Sequence, residues 1–153
     1  MDQRSPDGAF GHGQHVVAVA ALIVRASTDE PGAPRILALR RAPQNLAGPG
    51  LWETVSGRVE HGEEPLAAVA REISEECGLL VQVDPRPFAS YAAQRRGRPM
   101  IVILYRAQYQ AGNVQLSDEH DAFAWLTAAE FRERSTLRPL VAVVERALAA
   151  PCT

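Results

Sequence analysis

Gly57-Arg-Val-Glu-His-Gly-Glu63-Glu-Pro65-Leu-Ala-Ala-Val-Ala-Arg71-Glu72-Ile73-Ser-Glu75-Glu76-Cys77-Gly78-Leu79 crowds glutamates around Arg71 and brackets them with glycines. A helix turns about 100° per residue, so positions i, i+3 and i+4 share a face. Glu72, Glu75 and Glu76 are therefore predicted to project together. Like charges at i,i+4 cost a helix a few tenths of a kcal/mol, a cost that a bound cation would offset. Three carboxylates on one rigid face suit a hard divalent ion such as Mg²⁺ or Mn²⁺. The alternative is a solvated acidic face, which most charge runs are.

Leu66, Ala70, Ile73 and Cys77 follow i, i+4, i+7, i+11 and predict a narrow apolar stripe, with the acids largely on the opposite side. Pro65 suits the first helical position. Gly78 suits the C′ position, where φ is positive. The helix is predicted from Pro65 to Cys77. Ahead of it lies a loop with two glycines, Gly57 and Gly62, where backbone can pass close to a ligand.

Gly57, Glu63, Arg71, Glu72, Ile73, Glu75, Glu76, Gly78 and Leu79 match every defined position of the Nudix box, and the chain resembles the Nudix hydrolases. A chance match is on the order of 10⁻⁸ at average residue usage. Looser likeness extends to Leu51-Trp52-Glu53 before the box and to Leu116 through His120, then Trp125, after it. One departure is Val55-Ser56-Gly57, where many members carry Pro-Gly-Gly. The resemblance implies an α/β fold, a mixed β-sheet sandwiched between helices. It also implies hydrolysis of a diphosphate linked to another moiety, usually a nucleoside, with Mg²⁺ or Mn²⁺. Carried over residue by residue, it makes Glu72 and Glu76 metal ligands, Glu75 a ligand or water-orienting base, and the Gly57 carbonyl a further ligand. Arg71 and Glu63 become an ion pair that fixes the loop to the helix. Glu119, in a polar loop, becomes a base or extra ligand, with a surface carboxylate as the alternative.

With 153 residues the chain fits one domain, read as residues 14–150 behind a flexible tail over 1–13. A net charge of −2 gives no basic field for a nucleic-acid polymer. The N-terminal residues lack the apolar core of a signal peptide, and no run of 18 apolar residues exists, so no membrane association and a cytoplasmic location are expected. Two cysteines make no disulfide framework. Cys77 reads as core packing and Cys152 as terminal. The resemblance allows a homodimer.

Apolar runs and turn residues predict strands over 15–24, 35–41 (a hairpin with the first), 51–55, 79–83, 88–94, 100–110 and 122–126. Thr127 and Glu130 form a capping-box pattern before a short helix, and Pro139 opens a last one. Arg95, Arg96 and Arg98 surround Gly97 at a hairpin turn within reach of an anionic substrate. Arg58, Arg40, Arg41 and Trp52 are further substrate-contact candidates, the arginines for phosphate oxygens and the ring for a base. For Arg40 and Arg41 a solvated role is as good a reading, and for Trp52, Phe88, Tyr91 and Trp125 a core role is better. The four histidines lack a zinc spacing and read as structural or solvated.

The substrate is approached by exclusion. The tyrosine spacing of dinucleoside polyphosphate hydrolases falls on residues 95–97, the proline spacing of ADP-ribose pyrophosphatases on Gln94 or Arg95, and the coenzyme A motif is absent. A small nucleoside diphosphate derivative, such as a (deoxy)nucleoside triphosphate, is left. Two other readings are a non-catalytic nucleotide-sensing domain, which would typically lack the glutamates, and an isoprenyl diphosphate isomerase, which would need a catalytic cysteine.

Overall fold

The Val-rich run after His15 becomes β1 (Val16–Arg25), the strand around which the chain is built. The structure, a computed structural model, describes residues 13–29 and 32–151. Of the tail expected over 1–13, all but Gly13 lies outside the described residues, as does Cys152.

Along β1 successive side chains point to opposite faces, and both faces are buried. Ala18, Ala20, Leu22 and Val24 enter one core cluster. Val19, Ala21 and Ile23 enter the other. A strand apolar on both faces belongs inside a sheet covered on each side. The sheet has eight strands: β2 (Arg35–Arg41), β3 (Trp52–Glu53), β4 (Val55–Arg58), β5 (Leu80–Val83), β6 (Ala89–Arg95), β7 (Arg98–Ala111) and β8 (His120–Leu126) join β1. Its main path runs β3-β2-β1-β7-β5, with β4 on β1, β6 on β7 and β8 on β2. Helix α1 (Pro65–Glu76) covers the Val19 face; α2 (Ala128–Arg134) and α3 (Arg138–Ala149) cover the Ala18 face through Phe131, Leu140 and Val144. The expected α/β architecture of a mixed sheet between helices is present.

The expected hairpin between the first two strands is reduced to its base. β1 and β2 pair only at Val24↔Ile36 and Arg25↔Arg35. Beyond that, β4 takes the edge of β1 over Ala18 to Ala21, and β2 runs on between β3 and β8. The other edge of β1 pairs in parallel with β7, from Val16↔Met100 to Val24↔Gln108. At the tip of the β6–β7 hairpin Arg96 and Gly97 have φ of 51° and 77°, the two positive values of a type I′ turn. The capping box at Thr127 is formed in both directions: Glu130 N–H donates to the Thr127 hydroxyl, and Thr127 N–H donates to the Glu130 carboxylate. Among the described residues no helix is long and apolar enough to cross a membrane.

Candidate metal and phosphate site

Helix α1 starts at Pro65 and stops where Gly78, at φ 66°, bonds its N–H to the Ile73 carbonyl. Its buried positions are Ala68, Val69, Glu72, Ile73 and Glu76, with Cys77 behind them. The predicted stripe is therefore rotated: Leu66 and Ala70 are exposed, and two of the acids share the inward side. Ala68, Glu72 and Glu76 form one i,i+4 row, and that row lies against β4. Room for it comes from Gly57. A Cβ built there would stand 2.1 Å from the Glu72 carboxylate. On the same strand the Ser56 N–H points away from the β1 ladder and donates to Glu76 Oε2 at 3.1 Å.

Arg71 ties this row to the loop. Its guanidinium donates to both oxygens of Glu63 (2.8 and 2.9 Å), to Glu72 Oε1 (2.7 Å), to Glu75 Oε2 (3.4 Å) and to the Arg58 carbonyl (3.0 Å). Such a planar fork fits a carboxylate bidentately. The hydrogen bonds from Arg71 hold the Glu63 carboxyl at about 2. Glu75 itself is exposed.

A second buried network sits below the row. Glu53 accepts from Arg41 at 2.7 Å and from the His120 ring at 2.9 Å. Burial alone would raise the Glu53 pKa, but those two hydrogen bonds outweigh it and the net shift is downward. Glu53 and His120 are both nearly inaccessible; the sequence marks them only through the looser likeness on either side of the box, which assigns them no role. Arg41 was separable from Arg40 by strand parity. Leu37, Leu39 and Arg41 point to the α1 face, whereas Arg40 lies on the other, paired with Asp121 at 2.8 Å and stacked near Trp52.

These groups open on one cleft of about 770 Å³, whose lining includes Glu72, Glu75, Glu76, Gly57, Glu119 and Arg58. Arg41, Arg95 and Arg96 line it as well. The cleft thus brings together every carboxylate proposed as a ligand or base from the sequence. Arg40 and Trp52 are outside its lining; the Trp52 ring packs on the α2/α3 core. Behind the cleft lies a more apolar cavity of about 430 Å³, reached past Arg41, Gly57 and Arg95 and lined by Tyr91, Met100 and Leu140. Cys77 is fully buried and its thiol bonds to the Ile73 carbonyl, away from both cavities.

The site is electrostatically loaded. Burial, reinforced by the charges of Glu53, Glu72 and Glu119, pushes the Glu76 carboxyl up to about 9 against the opposing Ser56 amide. Burial also raises Glu72, with Arg71 pulling the other way. A buried carboxylate of this kind lacks a compensating cation, and the donor set fits a divalent one: buried glutamate oxygens, further carboxylates at the mouth and a buried imidazole. The consequence for stability has a definite sign. Between about 4.5 and 9 the folded, metal-free protein keeps a proton on Glu76 that the unfolded chain has released, so unfolding sheds a proton and stability falls as pH rises. The metal-free protein should therefore lose stability from pH 5 to pH 9, by on the order of 1 kcal/mol per pH unit at its steepest, read as a falling Tm. A flat thermal-melt profile across that window would show that Glu76 is ionised in the metal-free fold.

The NUDIX domain family model matches residues 14–146. A Streptomyces ambofaciens protein named MutT-like protein is 36% identical over 129 residues, covering 84% of this chain and 75% of that one. A Mycobacterium tuberculosis protein named putative 8-oxo-dGTP diphosphatase 2 is 35% identical over 124 residues, covering 76% of this chain and 77% of its own length. The crystal structure of a MutT protein from Methanosarcina mazei superposes with a TM-score of 0.74 at 26% identity, over 89% of this chain and 94% of that one. The chain belongs to the Nudix family, as a pyrophosphohydrolase of that family.

Proposed function

We propose that the protein hydrolyses the phosphoanhydride bond of a nucleoside diphosphate derivative, with a (deoxy)nucleoside triphosphate as the favoured substrate and Mg²⁺ or Mn²⁺ as the cofactor. The observation that carries this reading is the pairing of opposite charges within one cleft. A row of glutamates on α1 and Glu119 faces Arg41, Arg58 and Arg95. Carboxylates of this kind hold a divalent ion, and arginine forks fit phosphate oxygens. The adjoining apolar cavity offers a planar base a place to sit while its phosphates lie over the acids. The relative named as a putative 8-oxo-dGTP diphosphatase supports the same substrate class.

When bound, the cation would neutralise phosphoryl oxygens and lower the pKa of an attacking water. Glu72 and Glu76 would hold it. Arg71 would fix Glu72 in orientation, and Glu63 would fix Arg71. Glu75, or Glu119 where the cation leaves it free, would take the proton of the water; both stand at the open mouth of the cleft. Arg41, Arg58 and Arg95 would bind the phosphates and, with the walls of the apolar cavity, set their position.

A substrate panel tests this directly. Nucleoside triphosphates, 8-oxo-dGTP, a dinucleoside polyphosphate and ADP-ribose would be incubated with Mg²⁺ and products separated by chromatography. Release of a monophosphate product from a triphosphate, abolished by EDTA, is the expected result. Turnover unchanged in EDTA would remove the metal from the reading, and nucleotide binding without turnover of any diphosphate would favour the sensing domain.

A further inference from the structure

His120 is nearly inaccessible, and its two ring nitrogens are in different situations. Nε2 is bonded to Glu53 Oε1 at 2.9 Å. Nδ1 is buried with no hydrogen-bond partner among the described residues. Glu53 also accepts from the Arg41 guanidinium at 2.7 Å, so this carboxylate meets its partners as an acceptor. Facing that acceptor, Nε2 is the donor of the pair. The Nδ1 of that tautomer offers a lone pair with no donor to meet it. A ring nitrogen of His120 and carboxylate oxygens of Glu76 and Glu119 all lie within 4.8 Å of one another. Histidines that ligate metals almost always donate their other ring N–H to a carboxylate or carbonyl, which fixes tautomer and orientation. Glu53 stands in that relation to His120, and Arg41 in turn holds Glu53.

We infer that His120 is a direct nitrogen ligand which, with Glu76 and Glu119, makes a mixed nitrogen–oxygen site favouring a first-row transition-metal ion such as Mn²⁺ over Mg²⁺. This rests on the reading of the cleft as a divalent-cation site and adds a ligand that the box does not contain. Mg²⁺ keeps to oxygen and gains little from an imidazole, whereas a site of one imidazole and two carboxylates is open to Mn²⁺ and, more strongly, to the later first-row ions. Glu53 is then a positioning residue: it acts on the cation only through the imidazole.

Pulsed EPR of the Mn²⁺-loaded full chain reads this without any turnover. Bound Mn²⁺ should show imidazole ¹⁴N modulation, and uniformly ¹⁵N-histidine-labelled protein should shift it. The His12→Gln/His15→Gln/His61→Gln variant leaves His120 as the remaining one of the four histidines and alters none of the proposed ligands. It should retain the modulation. His120→Gln should lose it and bind Mn²⁺ about 10-fold or more weakly, with a smaller loss for Mg²⁺. Mn²⁺ bound with oxygen-only surroundings, or modulation absent from the triple variant, would overturn the assignment, and the cation reading of the cleft would survive. Failure of the wild-type chain to bind Mn²⁺ at all would overturn both. Equal losses of Mn²⁺ and Mg²⁺ affinity in His120→Gln would overturn the selectivity. If His120→Gln fails to fold, the wild-type and triple-variant spectra decide the ligand.

Discussion

Glu76→Gln should lower kcat/KM about 10³-fold while leaving the fold intact. A metal's contribution to the transition state is several kcal/mol, and each 1.36 kcal/mol is tenfold in rate. Gln keeps the shape and still offers an oxygen to the Ser56 N–H that Glu76 accepts, so no cavity and no orphan donor is created. What disappears is the charge. The same substitution should stabilise the metal-free protein above pH 5, because the neutral amide never undergoes the ionisation that burial resists. The discriminating measurement pairs steady-state kinetics in Mg²⁺ with thermal melts in EDTA at pH 5 and pH 9. Loss of activity together with a higher metal-free Tm at pH 9 is expected. Activity within a few fold of wild type would remove Glu76 from the metal site.

Gly57→Ala should also damage activity strongly while leaving the fold near normal. The added Cβ would lie 2.1 Å from Glu72 Cδ and Oε1, a distance no real pair of atoms sustains. The obstacle is the end of a flexible side chain rather than backbone, so Glu72 can swing aside. Alanine is otherwise suited to a strand residue without positive φ. Swinging aside separates Glu72 from Arg71 and from its place beside Glu76. A displacement of about 1 Å at a reacting centre can cost 10²-fold, and a loss of that order is expected in kcat/KM, accompanied by weaker Mg²⁺ binding by calorimetry. A near-normal Tm would separate this from misfolding. Wild-type metal affinity in a folded Gly57→Ala protein would mean that the Glu72 carboxylate need not sit against β4.

Glycine and proline punctuation placed α1 to within one residue of its end, and the apolar run over 15–24 announced the strand that became β1. Both are properties of nearby residues. The facing of α1 was misread because an amphipathic stripe assumes that apolar positions point inward. Here Glu72 and Glu76 are among the inward-pointing positions, and Leu66 and Ala70 are left to solvent. A binding helix breaks the hydrophobic rule where the ligand is to go. Glu53 and His120 were harder still. They are 67 residues apart, and nothing local in either segment reveals that two short strands, β3 and β8, flank the same β2. Only the parity of β2 carried a usable signal, in the opposite facing of Arg40 and Arg41.

The parallel pairing of β1 with β7 has a consequence for how the protein comes into being. Met100 must find Val16, and the whole Nudix box lies in the loop that this pairing closes. Long-range parallel contacts form late, after the chain-closure entropy has been met. On a ribosome adding about 5–20 residues per second, the acidic helix emerges seconds before the strand that completes the sheet beneath it, and before Glu119 and His120. Until then the glutamate row has β4 beneath it, but β1 lacks its parallel partner and the cleft lacks its far wall. A nascent chain halted between Leu79 and Met100 would carry every residue of the box and only one side of the cleft.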